Sequence, residues 1–191
     1  PDGRRLAAFV NRGPKWMLCL DGVEGPPYDD LGAGSLAFSP DSQHYAYFAR
    51  SGTDWRFVLD GKEVGGPYEI FMAGGPLFSS VGHRLVYGAK KGGHWFIVTD
   101  GKESPSYDGI MRDTPVISPD GRHVVFGARR GEKWFIVCDE RESEAYVGIR
   151  LSSLWFSRDG SRVNYQVRLA GSDLWRGRSM SFNAEMPVPT K

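Results

Sequence analysis

Tryptophan recurs at Trp16, Trp55, Trp95, Trp134 and Trp175, in steps of 39, 40, 39 and 41 residues, and its surroundings recur with it. Lys15 to Gly22 (KWMLCLDG) is echoed by Asp54 to Gly61 (DWRFVLDG), His94 to Gly101 (HWFIVTDG) and Lys133 to Glu140 (KWFIVCDE). A period near forty made of short apolar runs implies one small unit stacked several times. Each unit alone is too small to bury its apolar faces, so the stack is the folding entity.

Aligned on tryptophan, every period holds four short segments. The first is Leu36-Ala37-Phe38-Ser39 and its copies Leu77 to Ser79, Val116 to Ser118 and Trp155 to Ser157. The second is Leu6 to Val10, Tyr45 to Ala49, Leu85 to Ala89, Val124 to Ala128 and Val163 to Val167. The third is the tryptophan run, and the fourth carries Tyr28, Tyr68, Tyr107 or Tyr146. The runs are β-branched and aromatic, last four to seven residues and are punctuated by Gly, Pro and Asp, which predicts strands. The chain has 25 glycines in 191 residues, roughly twice the usual share, in keeping with many turns. Asp21-Gly22, Asp60-Gly61 and Asp100-Gly101 are hairpin dipeptides. Trp134-Phe135-Ile136-Val137-Cys138 is apolar on both alternating faces, as a sheet covered on both sides requires.

Four antiparallel strands per forty residues predict an all-β chain of β-propeller blades. The Phe38-Ser39-Pro40-Asp41 entry, its Ile117 to Gly121 copy and the Trp strand ending in Asp-Gly resemble the TolB-type, WD40-like propeller repeat. The resemblance covers essentially the whole chain and implies fold far more than function. It departs from true WD repeats, having neither a Gly-His before the first strand nor a Trp-Asp closing the third. Five blades are expected: 1–34, lacking its inner strand, then 35–73, 74–112, 113–151 and 152–191. The missing strand would come from upstream residues or the tail, and only the tail near Ser181 to Met186 is left to supply an outer strand to the last blade. The alternative is an arc of a larger propeller, or one completed by a partner chain, in which case homo-oligomers follow. Pro1 stands inside a repeat with no initiator Met, which reads as a trimmed piece of something longer.

Charge and composition exclude several classes. The charged and hydrophobic shares, 25% and 40%, are ordinary for a globular chain and not for a disordered one. No apolar run approaches the roughly 18 residues of a membrane span, and no signal peptide is visible. The compartment is unreadable, bacterial periplasm and cytoplasm both fitting. Cys19 and Cys138 have no CxxC spacing and read as reduced core thiols. No metal ligand set and no cofactor motif is expected. Gly32-Ala33-Gly34 leads into a strand, not a helix, so it is no dinucleotide loop. Ser39, Ser79, Ser118 and Ser157 lack a nucleophile elbow and read as turn caps. His44 and His123 stand where Arg5, Arg84 and Arg162 stand elsewhere, an exchange no metal ligand would tolerate. The first strands offer almost no acids for glycosidase chemistry.

Charge placement carries the functional expectation. The loops between second and third strands hold Arg12, Lys15, Arg50, Lys90, Lys91, Arg129, Arg130 and Lys133, and the crossovers add Arg112 and Arg150. Glu24, Glu63, Glu103 and Glu142 lie with the turn aspartates on the opposite face, so one rim is expected to be positive and the other negative. Those ten basic residues, with Phe71, Met72, Ile110 and Met111 exposed beside them, are expected to bind a protein or acidic peptide. The expectation is a non-catalytic interaction module. A net charge of +1 argues against nucleic acid. The alternatives are a small-ligand or glycan-binding propeller, with the tyrosine column as pocket wall, and the propeller part of a larger hydrolase or peptidase.

Overall fold

The structure, a computed structural model, describes residues 3–81 and 84–182. Pro1, Asp2, Gly82, His83 and the tail from 183 lie outside the described residues, and with them most of the tail strand expected near Ser181 to Met186.

The fold is all-β, and its repeating element is the antiparallel blade of a β-propeller. The first sheet joins β1 (Ala7–Arg12), β2 (Lys15–Leu20) and β3 (Val23–Glu24). The second contains β4 (Asp30–Leu31), β5 (Ala37–Phe38), β6 (Tyr45–Ser51), β7 (Asp54–Leu59) and β8 (Lys62–Tyr68). The third repeats it with β9 (Ile70–Phe71), β10 (Leu77–Phe78), β11 (Leu85–Lys91), β12 (His94–Thr99) and β13 (Lys102–Glu103). The fourth has β14 (Gly109–Ile110), β15 (Val116–Ile117), β16 (Val124–Arg130), β17 (Lys133–Cys138) and β18 (Arg141–Glu142). The fifth has β19 (Gly148–Ile149), β20 (Trp155–Phe156), β21 (Arg162–Arg168) and β22 (Trp175–Ser181). Among the described residues the first sheet has no inner strand, and the last has no strand beyond β22.

The inner strand of each later sheet is broken in two. In the second sheet β4 and β5 both pair with β6, separated by a turn at 32–35. There Ser35 donates its N–H to the Gly32 carbonyl, and its hydroxyl accepts the N–H of Phe48 at 3.1 Å. A side chain thus replaces the strand carbonyl that the turn removes. Ser153 does the same for Gln166 in the fifth sheet. The Gly32-Ala33-Gly34 run is this turn. The boundaries expected at 34/35, 73/74, 112/113 and 151/152 fall between the two halves of an inner strand.

The chain divides into two compact units, Pro1–Ser104 and Pro105–Lys191. In unit 1, Tyr28, Leu18 and Leu31 pack with Tyr47, Ala49 and Val58 of the second sheet. Phe57 stacks on Tyr87 at 4.1 Å, and Phe48 on Phe71 at 3.6 Å, joining second and third sheets. In unit 2, Ile136, Tyr146, Val163, Tyr165 and Met180 join the fourth and fifth. Each aromatic pair adds about 0.5–1.5 kcal/mol beyond its buried area.

The tyrosine column is therefore core. Tyr28, Tyr68, Tyr107 and Tyr146 are all buried. Tyr28, Tyr68 and Tyr146 pair in register with the tryptophans of their own repeats, Trp16, Trp55 and Trp134. The Tyr68 hydroxyl donates to Glu103 at 3.2 Å, and that of Tyr107 to Glu142 at 2.9 Å, each glutamate lying on an outer strand. Burial raises the pKa of all four phenols. The expectation that Phe71 and Met111 are exposed is corrected: both are buried, Met111 only 2% exposed, because they lie on or beside the hidden half of the inner strand. Met72 and Ile110 are half-buried.

Volume is exchanged across one strand pair from sheet to sheet. Gly32 faces Phe48, Met72 faces Gly88, and Met111 faces Gly127, each bonded backbone to backbone. A Cβ at Gly88 would sit 2.6 Å from Met72 Cγ, too close without a shift. In the fifth sheet the pair is polar, Arg150 donating to the Gln166 side chain at 2.9 Å.

One polar device recurs at the end of each third strand but the last. Asp21, Asp60, Asp100 and Asp139 take left-handed φ of 46–52° to start the turn. One oxygen of each accepts the first amide of the second strand, from Leu6, Tyr45, Leu85 and Val124. The other faces the preceding basic residue: Arg5, His44, Arg84 or His123. This pairing explains why Arg and His interchange there. The fourth turn keeps its shape although Glu140, at φ 75°, replaces the glycine.

Two outcomes follow. Gly88→Ala should cost about 1–3 kcal/mol in urea denaturation. Combined with Met72→Ala it should show a favourable coupling of at least about 0.5 kcal/mol in a double-mutant cycle, whereas strict additivity would contradict the volume exchange. Asp60 raises the pKa of His44 above 6.5. A raised folded-state value means the pair stabilises fully below the ordinary histidine pKa and loses that contribution as pH climbs through the raised one. His44→Arg should therefore flatten the loss of stability as pH rises above the ordinary histidine pKa of about 6.5, relative to the unchanged protein.

Candidate functional site

The recurring serines are consumed by structure. Ser39, Ser118 and Ser157 donate to Asp41, Asp120 and Asp159, and their oxygens accept the amides of His44, His123 and Arg162. Ser79 accepts the Arg84 amide in the same way. These bonds hold the Asp159 carboxyl down to about 2 and lower that of Asp120. The acid after each of the first three tyrosines has a matching task. Asp29, Glu69 and Asp108 accept the glycine N–H of the next hairpin, at Gly52, Gly93 and Gly131, at 2.7, 3.0 and 2.7 Å.

The basic residues expected to form a binding face stand mostly at strand ends, not in loops. In the first four sheets the second strands run two residues further than their apolar cores and leave two-residue hairpins. In unit 1 most are paired. Arg12 meets Glu24 at 2.6 Å, Lys15 meets Asp29 at 2.6 Å, Arg50 meets Asp30 at 3.2 Å and Lys91 meets Glu103 at 3.4 Å. Lys90 is half-buried without an ion pair among the described residues. In unit 2, Arg130 meets Glu142 at 2.8 Å, and Arg129 donates to the Gly131 carbonyl. Arg112, Lys133 and Arg150 are exposed, with no ion pair among the described residues.

The expected division into a positive and a negative rim is corrected by these pairs. Glu24, Glu103 and Glu142, assigned to the far rim, each hold a cation assigned to the near one. A long side chain spans the gap: the Arg130 guanidinium lies over the rings of Tyr107 and Phe135, 5.1 and 5.7 Å from their centroids. Uncompensated positive charge is left chiefly in unit 2. There the last repeat also exposes apolar surface. Val147 replaces the capping acid and is 42% exposed, and Leu174 and Trp175 are 67% and 44% exposed. The Arg168 guanidinium sits 5.9 Å over the Trp175 ring.

Two cavities lie between consecutive sheets at the turn end. In unit 1 one of about 330 Å³ is lined by Phe57, Leu59, Phe78 and Tyr87, with His44 and Asp100 at its polar edge. In unit 2 one of about 220 Å³ is lined by His123, Cys138, Asp139, Arg141, Met180 and Phe182. Burial pushes the Cys138 thiol up to about 12, so it is protonated at neutral pH. The convergence of Cys138 with His123 and Asp139 escapes a reading that weighs each residue type alone. The available signal was a cysteine directly before the turn aspartate in a repeat with histidine at the strand start.

No family model matches the chain, and no curated protein matches it. Solved structures do. TolB from Acinetobacter baumannii aligns over 95% of this chain and 51% of its own, at 18% identity and a TM-score of 0.44. An oligogalacturonate lyase in complex with manganese aligns over 94% of this chain and 60% of its own, at 16% identity and 0.49. A 6-phosphogluconolactonase-like protein from Bacteroides uniformis aligns over 95% and 69%, at 15% identity and 0.36. The chain spans about half to three-fifths of the length of the first two. The architecture rests on the sheets themselves, whose antiparallel pattern repeats as the blades of a β-propeller do.

Proposed function

We propose that the chain is a non-catalytic protein-interaction module and that unit 2 carries the docking surface for an acidic segment of a partner protein. One observation carries this reading: Arg112, Lys133 and Arg150 are exposed and uncompensated in the unit that also exposes Trp175, Leu174 and Val147. Exposed Trp and Arg are the residue types that dominate protein interfaces energetically. The remaining basic positions, Arg12, Lys15, Arg50, Lys91 and Arg130, serve the fold through their ion pairs, and Lys90 and Arg129 are secondary contributors. The acids support the same reading. Turn aspartates, capping acids and outer-strand glutamates are engaged in repeated structural bonds.

A fluorescein-labelled peptide of glutamates with interspersed leucine and phenylalanine is the probe. It should bind with an affinity that falls as salt rises, as screening of exposed charges requires. Reversing Arg112, Lys133 and Arg150 to Glu should weaken binding by roughly tenfold or more, read by fluorescence anisotropy. Trp175→Ala should weaken it independently of salt. A peptide that does not bind, or binds the triple variant unchanged, would contradict the proposal.

A further inference from the structure

At the turn end of unit 2, potential ligand atoms of His123, Cys138 and Asp139 all lie within 4.8 Å of one another. Strand ends hold them in place. Cys138 closes β17, Asp139 begins the left-handed turn, and His123 immediately precedes β16. Asp139 accepts the Val124 amide through Oδ1 at 2.9 Å, and the His123 amide donates to Ser118 Oγ at 2.9 Å. The Phe182 ring stacks on the imidazole at 4.1 Å and sets its plane. The cavity of about 220 Å³ opens on all three groups.

The repeat supplies an internal control. The corresponding cavity of unit 1 is lined by His44, which bonds Asp60 at 2.7 Å, and by Leu59, which stands where Cys138 stands in unit 2. In two other repeats Arg5 and Arg84 face the turn aspartate instead of histidine. The pairing of base and aspartate therefore needs no thiol. Cys138 is an addition to that device, placed at the edge of a cavity.

We propose that His123, Cys138 and Asp139 form a binding site for a thiophilic divalent cation, zinc, with water from the cavity in the fourth position. One nitrogen, one sulfur and one carboxylate oxygen are each established zinc donors. Zinc bond lengths of about 2.3 Å to sulfur and 2.0–2.2 Å to nitrogen or oxygen place tetrahedral ligands roughly 3.3–3.7 Å apart. Cys138 Sγ already lies 3.8 Å from Asp139 Oδ2. The hydrogen bond from His123 Nδ1 to the same oxygen, 2.5 Å, must open on binding, and His123 is partly exposed toward the cavity. The thiol proton leaves to solvent, and thiolate and carboxylate together balance the double charge.

The test uses the whole chain without an affinity tag that binds metal. Zinc is titrated calorimetrically, and cobalt is added in parallel to read sulfur-to-cobalt charge transfer in the near ultraviolet. Cys138→Leu and His123→Arg install residues that stand at the same places in other repeats, so folding is preserved, as circular dichroism will verify. One zinc per chain and a cobalt band are expected. Either variant should lose affinity by about a hundredfold or more, since even the outer partners of metal ligands cost up to that much. Cys19→Ser should bind as the unchanged chain does. A missing charge-transfer band, a band that survives Cys138→Leu, or unchanged zinc affinity in His123→Arg would each overturn the site.

Discussion

Central strands that are apolar on both faces govern this molecule. In β6 four consecutive residues, Ala46 to Ala49, are buried, and alternate side chains point into cores on opposite sides of one sheet. Such a sheet has no face to give to water, and it persists only when sheets cover it on both sides. The second sheet shows the consequence within unit 1. Its Tyr47 joins the core shared with the first sheet, while Phe48 and Phe57 join the core shared with the third. β1, in a sheet with no inner strand among the described residues, is correspondingly less buried.

Once stacking is imposed, the polar residues of the repeat have defined work. The turn aspartate ties the start of the second strand to the end of the third. The serine before each entry turn replaces a backbone acceptor, and the acid after the tyrosine caps the next hairpin. With those tasks identified, departures from the pattern become informative. Val147 stands where an acid would cap, Arg150 and Gln166 stand where other sheets exchange volume, and Cys138 takes the repeat position of Leu20 and Leu59. All three lie in unit 2, which is where both the docking surface and the cation site are proposed.

Much of the fold was legible because its signals are local and repeated. The Asp-Gly turns, the doubly apolar tryptophan strand and the serine entry turns each specify their backbone from a few adjacent residues. The hidden halves of the inner strands were not legible, since two-residue strands such as β4 and β9 carry no period of their own. Phe71 and Met111 therefore read as surface residues from sequence alone, although both are buried. The charge pattern was legible as composition but not as geometry. Whether Arg130 faces solvent or lies across Tyr107 toward Glu142 depends on packing between non-adjacent segments. The convergence of His123, Cys138 and Asp139 depends likewise on hairpin register.

The central claim is that neighbouring sheets stabilise one another through shared apolar faces. Native-state hydrogen exchange on the protein carrying Tyr68→Ala tests it most directly, because Tyr68 belongs to the second sheet but packs edge-on against Tyr87 of the third. Mutual support predicts faster amide exchange in β6 and β7 and, to a similar degree, in β11 and β12. Acceleration confined to the second sheet, with β11 and β12 exchanging as before, would contradict it.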